Sequence, residues 1–154
     1  MEDAAFKIFV WDYSSSVEDW RRAQRAGPSE LPNLNGEQKE FARSFGVAEE
    51  DYARGVLAGQ YGQDRLRSRG KELGDAVQDI LNRLEPGHRV IAVLAEMMKE
   101  RWTVRIQTPV KIENVHVERE LVDDLLDSGS IEEFERLRVR VLSALGRKEF
   151  IVGR

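Results

Sequence analysis

Residues 102–117 of this chain read WTVRIQTPVKIENVHV, and this stretch decides the fold. Trp102, Val104 and Ile106 alternate with polar side chains until Pro109 interrupts the pattern, which is the two-residue period of a strand. Residues 110–117 continue with a second run of strand character. The pattern therefore predicts two neighbouring strands joined by a short turn, as part of a small antiparallel sheet.

Two helices are predicted after these strands. Apolar residues between positions 121 and 126 form a helical stripe that stops at Gly129. Ser130 followed by Glu133 has the spacing of a capping box and predicts a further helix to about residue 145. The run before the strands, residues 89–98, begins with strand formers and ends with helix formers, and we favour a strand there.

The N-terminal part begins with one predicted strand. Residues 6–11 alternate, and both of their faces carry large apolar side chains. Ser16 and Asp19 then have the spacing of a capping box for a helix over residues 17–26.

Three more helices are predicted in the centre of the chain. Two short ones, joined by a tight turn at Gly46, lie within residues 37–57, and a longer one covers residues 64–84. The order of elements indicates an α+β fold, with a helical N-terminal half (after one strand) packed with a small antiparallel sheet and two C-terminal helices. We expect a single domain, 1–154, or a subdivision into a mainly helical part, 1–86, and strands plus helices, 87–154.

The composition is that of a globular chain. It has 24 Lys and Arg residues against 28 Asp and Glu, a formal net charge of -4, and 41% hydrophobic residues. No run of about 18 apolar residues is present, so we expect no membrane partner. The absence of cysteine excludes disulfides, thiolate zinc sites and a cysteine nucleophile. Because the first residues are acidic where a secretory signal would be basic, we expect a cytoplasmic protein.

The aromatic residues of the first strand suggest a binding function. Phe9 and Trp11 occupy one face of that strand, and exposed rings of this kind mark interfaces. An acidic stretch farther along the chain would steer a basic partner. Its candidate binding residues are Glu120, Asp123, Asp124 and Asp127. The sequence thus predicts a non-catalytic protein-binding or self-assembling adaptor or regulatory protein, including a homo-oligomer, without a cofactor.

A nucleic-acid-binding regulator is the alternative interpretation. Residues 38–57 have part of the apolar spacing of a helix-turn-helix, and a basic helix start is predicted farther along. The basic side chains are Arg65, Arg67, Arg69 and Lys71. The second helix of the hairpin begins with three carboxylates, which DNA phosphates would repel, so a structural αα-hairpin competes with this interpretation.

A metal-dependent hydrolase is the third interpretation. His116 and Glu118 lie two residues apart on one face of a predicted strand and could supply two metal ligands or a base and its orienting group. The pair lacks an adjacent third ligand, although Asp123, Asp124 and Asp127 could in principle complete a site, and we favour a polar outer strand face as the explanation of the pair. No catalytic signature with a serine nucleophile, a phosphate-binding loop or a HExxH helix occurs in the chain, so we expect no enzyme.

Overall fold

The computed structural model describes residues 6–11, 16–84 and 87–146. Contacts divide the chain into two compact units. The first comprises the N-terminal strand, up to Asp12, together with the chain from Leu66 onward, and the second comprises the chain between Tyr13 and Arg65. The single-domain organisation stays a prediction.

The first unit contains a four-stranded sheet in the order β1-β2-β3-β4. The strands are β1 (Lys7–Trp11), β2 (Arg89–Glu96), β3 (Arg101–Gln107) and β4 (Ile112–Glu118). Strands β2, β3 and β4 pair antiparallel, whereas β1 joins the edge in parallel with β2. A parallel pair needs a long crossover connection, and helices supply it here. The α+β prediction is confirmed, and the ambiguous run forms strand β2 as favoured.

The register of the strands divides the sheet into two faces. One face aligns Ile8, Val93, Val104 and Val115 across the four strands, and the next row on that face includes Trp102. All of these except the half-buried Ile8 are buried. This face, the covered face, packs against helices.

Helix α3 (Glu49–Leu81) packs on the covered face with its C-terminal half. A Cβ added at Gly70 would lie 2.8 Å from Cγ2 of Ile8 and 3.2 Å from Cζ3 of Trp102. Glycine therefore allows the helix to approach the sheet closely, at the cost in helix propensity that glycine carries.

The C-terminal helices complete this layer. Helices α4 (Arg119–Ser128) and α5 (Ile131–Ala144) contact β4 and bury leucine and valine side chains. Ser130 is the N-cap of α5, because its hydroxyl accepts the backbone N–H of Glu133, so this predicted cap is confirmed.

The second unit contains α1 (Val17–Gln24), α2 (Gly36–Ser44) and the N-terminal half of α3. Its core of buried apolar residues is small and rich in alanine; the members are Ala23, Ala26, Leu57 and Ala58. Arg54 donates to the carbonyls of Ala23 at 2.8 Å and Ala26 at 2.9 Å, and so satisfies the end of α1. The capping box at Ser16 and the left-handed turn at Gly46, with φ of 68°, are confirmed.

One prediction about the helices is wrong. The apolar spacing predicts a hairpin ending at residue 57 and a separate helix starting at 64, but α3 runs unbroken for 33 residues. The intervening stretch contains glycine but no proline, so each glycine costs about 1 kcal/mol without breaking the backbone hydrogen bonds. Leu57 and Leu66, on either side of the expected gap, are both buried and hold the helix together. The basic residues at 65–71 were predicted to lie at the start of a helix. They lie inside α3 instead.

Among the described residues, no helix combines the length and apolar character that a membrane span requires.

Candidate binding surface on the open face of the sheet

The sheet face opposite α3 carries the candidate binding surface, which we call the open face. Three rows of register-aligned side chains cross it. The first row is Lys7, Ala92, Arg105 and Asn114; the second is Phe9, Leu94, Thr103 and His116; the third is Trp11, Glu96, Arg101 and Glu118. Because side chains alternate along a strand, these residues are turned away from the covered face.

The aromatic side chains of β1 are exposed on this face. Phe9 is 41% exposed and Trp11 is 53% exposed. They are two residues apart on one strand, so their Cα atoms are separated by roughly 6.6 Å along it. Leu94, beside Phe9 on β2, is half-buried. The rings therefore form an apolar strip along the β1 edge of the open face.

A hydrogen-bond network crosses the middle of the open face. Glu96 is only 9% exposed, and its Oε1 accepts from Thr103 Oγ1 at 2.5 Å and from Arg101 Nε at 3.0 Å. The hydroxyl of Thr103 has one proton, which it donates to Glu96, so it accepts from Nδ1 of His116 at 2.9 Å. The bond from Thr103, more than that from Arg101, lowers the pKa of Glu96, while burial opposes it. The network orients the imidazole of His116.

Glu118 is bound by an arginine of α5. Arg140 donates to both carboxylate oxygens, at 2.7 and 2.9 Å, and these bonds lower the pKa of Glu118. His116 and Glu118 thus share one face, as the sequence suggests, but Thr103 contacts the first and Arg140 the second. Across the parts of the chain that the structure describes, no cluster of three or more His, Asp or Glu residues is arranged to hold a metal ion.

Cations outnumber carboxylates on the open face. The carboxylates of Glu96 and Glu118 are each paired with an arginine. Lys7 and Arg105, the remaining cations of the three rows, form no ion pair with any described residue; Arg105 Nε instead donates to Asn114 at 3.1 Å. The open face therefore carries unmatched positive charge although the chain as a whole has a net charge of -4.

An arginine occupies one backbone carbonyl at each edge of the sheet. Arg67 Nη1 donates to the carbonyl of Ile8 on β1 at 2.9 Å, and Arg140 Nη1 donates to that of His116 on β4 at 3.2 Å. An edge strand whose carbonyls are occupied and flanked by charge is a poor template for an added strand. A partner is therefore better accommodated on the open face than at an edge.

The predicted acidic residues lie on α4, in the layer of helices on the covered side of the sheet. Asp123 and Asp127 of α4 pair with Arg69 of α3, at 3.6 and 2.8 Å, while Glu120 and Asp124 are exposed. Because α3 packs on the covered face, these carboxylates lie across the sheet from Phe9 and Trp11. The structure thus places the rings and the acids on separate surfaces, and the acids that pair with Arg69 are partly neutralised.

The predicted basic residues form contacts within the chain. Arg65 pairs with Asp19 at 3.0 Å, and Lys71 pairs with Asp75 at 2.7 Å. Arg67 and Arg69 make the contacts with Ile8 and Asp127 given above. The four side chains serve packing and charge balance, and they do not form one cationic stripe.

The hairpin at residues 38–57 is an αα-hairpin with exposed rings. Phe41 and Phe45, which contribute to the apolar spacing of residues 38–57, are 53% and 68% exposed. Their ring centroids lie 4.6 Å apart, and the Phe41 ring is 5.8 Å from that of Tyr52. The carboxylates at the start of α3 are exposed, and one of them, Glu50, pairs with Arg54 at 2.9 Å.

The sequence analysis missed several residues of the open face. Lys7 shares the alternation of Phe9 and Trp11, so the period of β1 was a sufficient signal for it. Arg105 and Thr103 alternate correctly in β3, but their place beside β1 and β2 depends on the register between strands, which the sequence does not reveal.

Comparisons of the chain with protein-family models, with curated proteins and with solved structures found no match.

Proposed function

We propose that this chain is a non-catalytic binding protein, an adaptor or regulator, that holds its partner on the open face. The observation that carries the proposal is the exposure of Phe9 and Trp11 side by side on that face. Covering a large aromatic side chain contributes about 1.5–3 kcal/mol, so two adjacent rings supply a substantial part of a binding free energy. The sequence-based expectation is a protein partner or a second copy of this chain, located in the cytoplasm.

The arginines at the edges favour binding on the face. Arg67 and Arg140 each occupy one carbonyl, on β1 and β4 respectively, and place charge beside these strands, which disfavours addition of a further strand there.

The two carboxylates of the open face are poorly matched to proton transfer at neutral pH. A general acid or base works best with a pKa near the working pH. The pKa values of Glu96 and Glu118 are instead lowered by hydrogen bonds from Thr103 and Arg140. Both carboxylates remain charged at neutral pH, and each accepts hydrogen bonds that orient neighbouring side chains.

Affinity capture from a cell lysate tests the proposal. The immobilised wild-type chain is compared with a Phe9→Ser, Trp11→Ser double variant and with Phe45→Ser, which removes a ring of the second unit that is more exposed than either Phe9 or Trp11. Captured protein is read on a stained gel and captured nucleic acid by absorbance and nuclease digestion, while self-association is read by light scattering.

We expect the double variant to stay folded by circular dichroism and to lose the captured partner or the dimer, whereas Phe45→Ser keeps it. Unchanged capture by a folded double variant, or no capture by the wild-type chain, contradicts the proposal.

A further inference from the structure

Given a binding function for the open face, we propose that its partner is a single strand of nucleic acid. Its bases stack on Phe9 and Trp11, and its phosphates contact Lys7 and Arg105.

The rings are placed as a stacking platform. Phe9 and Trp11 occupy successive rows of one strand and are exposed at the margin of a sheet face. Aromatic side chains so arranged hold successive bases by stacking, and every base has a face to offer. The bases of a duplex are covered by their neighbours in the stack, so a platform of this kind selects single strands.

The charges of the face complement a phosphate backbone. Lys7 lies next to Phe9 on the same face of β1, and Arg105 shares the row of Lys7. Neither pairs with a carboxylate in the described chain, whereas Glu96 and Glu118 are each paired with an arginine. The acids of α4 belong to the other layer, and physiological salt screens their repulsion over roughly 8 Å.

The distribution of apolar side chains argues against a protein partner. Protein interfaces place their large apolar anchors near the centre, where surrounding contacts exclude water. Here the rings lie on the edge strand β1, and β3 and β4 contribute polar groups to the same rows, including the exposed Asn114 and His116. Such groups can hydrogen-bond to base edges or to sugars.

Fluorescence anisotropy with labelled 12-nucleotide oligouridine and oligothymidine tests the inference, with a duplex of equal length as the competitor. Titrations at several salt concentrations between 50 and 300 mM give the charge dependence. We expect binding to both single strands, weaker binding to the duplex, and an affinity that falls steeply as salt rises.

Substitutions separate base stacking on the rings from phosphate binding by the cations. Phe9→Ala and Trp11→Ala should each weaken binding about tenfold, because each removes one stacking face. The Lys7→Ala, Arg105→Ala double variant should lower the slope of log affinity against log salt by about 1.4. Phe45→Ala and Lys39→Ala, which remove an exposed ring and an exposed cation of the second unit, are the matched controls and should bind like the wild type.

Failures of the inference and of the proposed function can be told apart. No binding of either oligonucleotide at 50 mM salt, together with a protein partner or dimer that the Phe9→Ser, Trp11→Ser variant loses, overturns the nucleic-acid inference and leaves the binding function standing. Oligonucleotide binding that Phe9→Ala and Trp11→Ala do not change, or equal affinity for the duplex, also overturns the inference. Lysate capture that the double serine variant does not change overturns the proposed function itself.

Discussion

The two faces of the sheet hold the same kind of side chain in opposite environments. Trp102 on the covered face is 1% exposed, whereas Trp11 on the open face is 53% exposed. The two residues lie in neighbouring rows, since Trp102 aligns with Ala95 and Trp11 with Glu96. The difference teaches that alternation in sequence defines two faces, while the helices decide which of them becomes core.

Truncation of the two tryptophans gives the largest expected difference between the faces. Trp102→Ala should lower the free energy of unfolding by about 3–5 kcal/mol, because it leaves a large cavity under α3. Trp11→Ala should change it by less than about 0.5 kcal/mol, because the ring is exposed. Urea unfolding followed by circular dichroism measures both. Comparable losses would mean that Trp11 belongs to the core.

Added methyl groups sharpen the comparison within one helix. Gly70→Ala places a Cβ 2.8 Å from Cγ2 of Ile8, so we expect a loss of about 1–3 kcal/mol through overpacking. Gly55→Ala meets the Trp20 ring at 3.4 Å, which is ordinary contact, and should stabilise the protein by up to about 1 kcal/mol through helix propensity. Thermal melts of the two variants should shift in opposite directions. A stabilising Gly70→Ala would show that α3 is not held tightly against the covered face.

The smallest expected effect concerns the pH dependence of the open face. The folded-state pKa of Glu96 lies below its ordinary value of 4.5, because Thr103 and Arg101 bind the charged form. Its stabilising contribution is therefore present above pH 4.5 and is lost as the pH falls through the folded-state value. Glu96→Gln should flatten the dependence of unfolding free energy on pH below 4.5. Some dependence should remain, since the pKa of Glu118 is lowered as well.

Glu120→Gln is the matched control, because Glu120 is an exposed carboxylate with no hydrogen-bonded or ionic partner among the described residues. Its unfolding curves between pH 3 and 7 should follow the wild type. If Glu96→Gln also follows the wild type, the network of Glu96, Thr103 and His116 does not contribute to stability.

Local signals were reliable in this chain. Ser16 and Ser130 cap helices as their side chains indicate, and Gly46 adopts the tight, left-handed turn expected of it. These features depend on hydrogen bonds and backbone torsions within a few residues, so the sequence contains the information directly.

Signals that depend on long-range packing were less reliable. The predicted gap between a hairpin ending at residue 57 and a helix starting at 64 does not exist, because α3 is continuous and buries Leu57 and Leu66 on either side of it. For the candidate site, Phe9, Trp11, His116 and Glu118 were chosen correctly as members of strand faces. The prediction that the rings and the acids of α4 act on one partner does not agree with their positions, because the packing of helices, and not the spacing of residues in sequence, decides which side chains are neighbours across layers.

The strands, the helix caps, the α+β class and the place of Phe9 and Trp11 on one strand face are encoded locally, in periodicity and in hydrogen bonds between near neighbours. The continuity of α3, the parallel addition of β1 to β2 and the unmatched cations beside the rings emerge only when the elements pack together. These outcomes depend on register and layer packing, where residues far apart in sequence compete for the same buried surface.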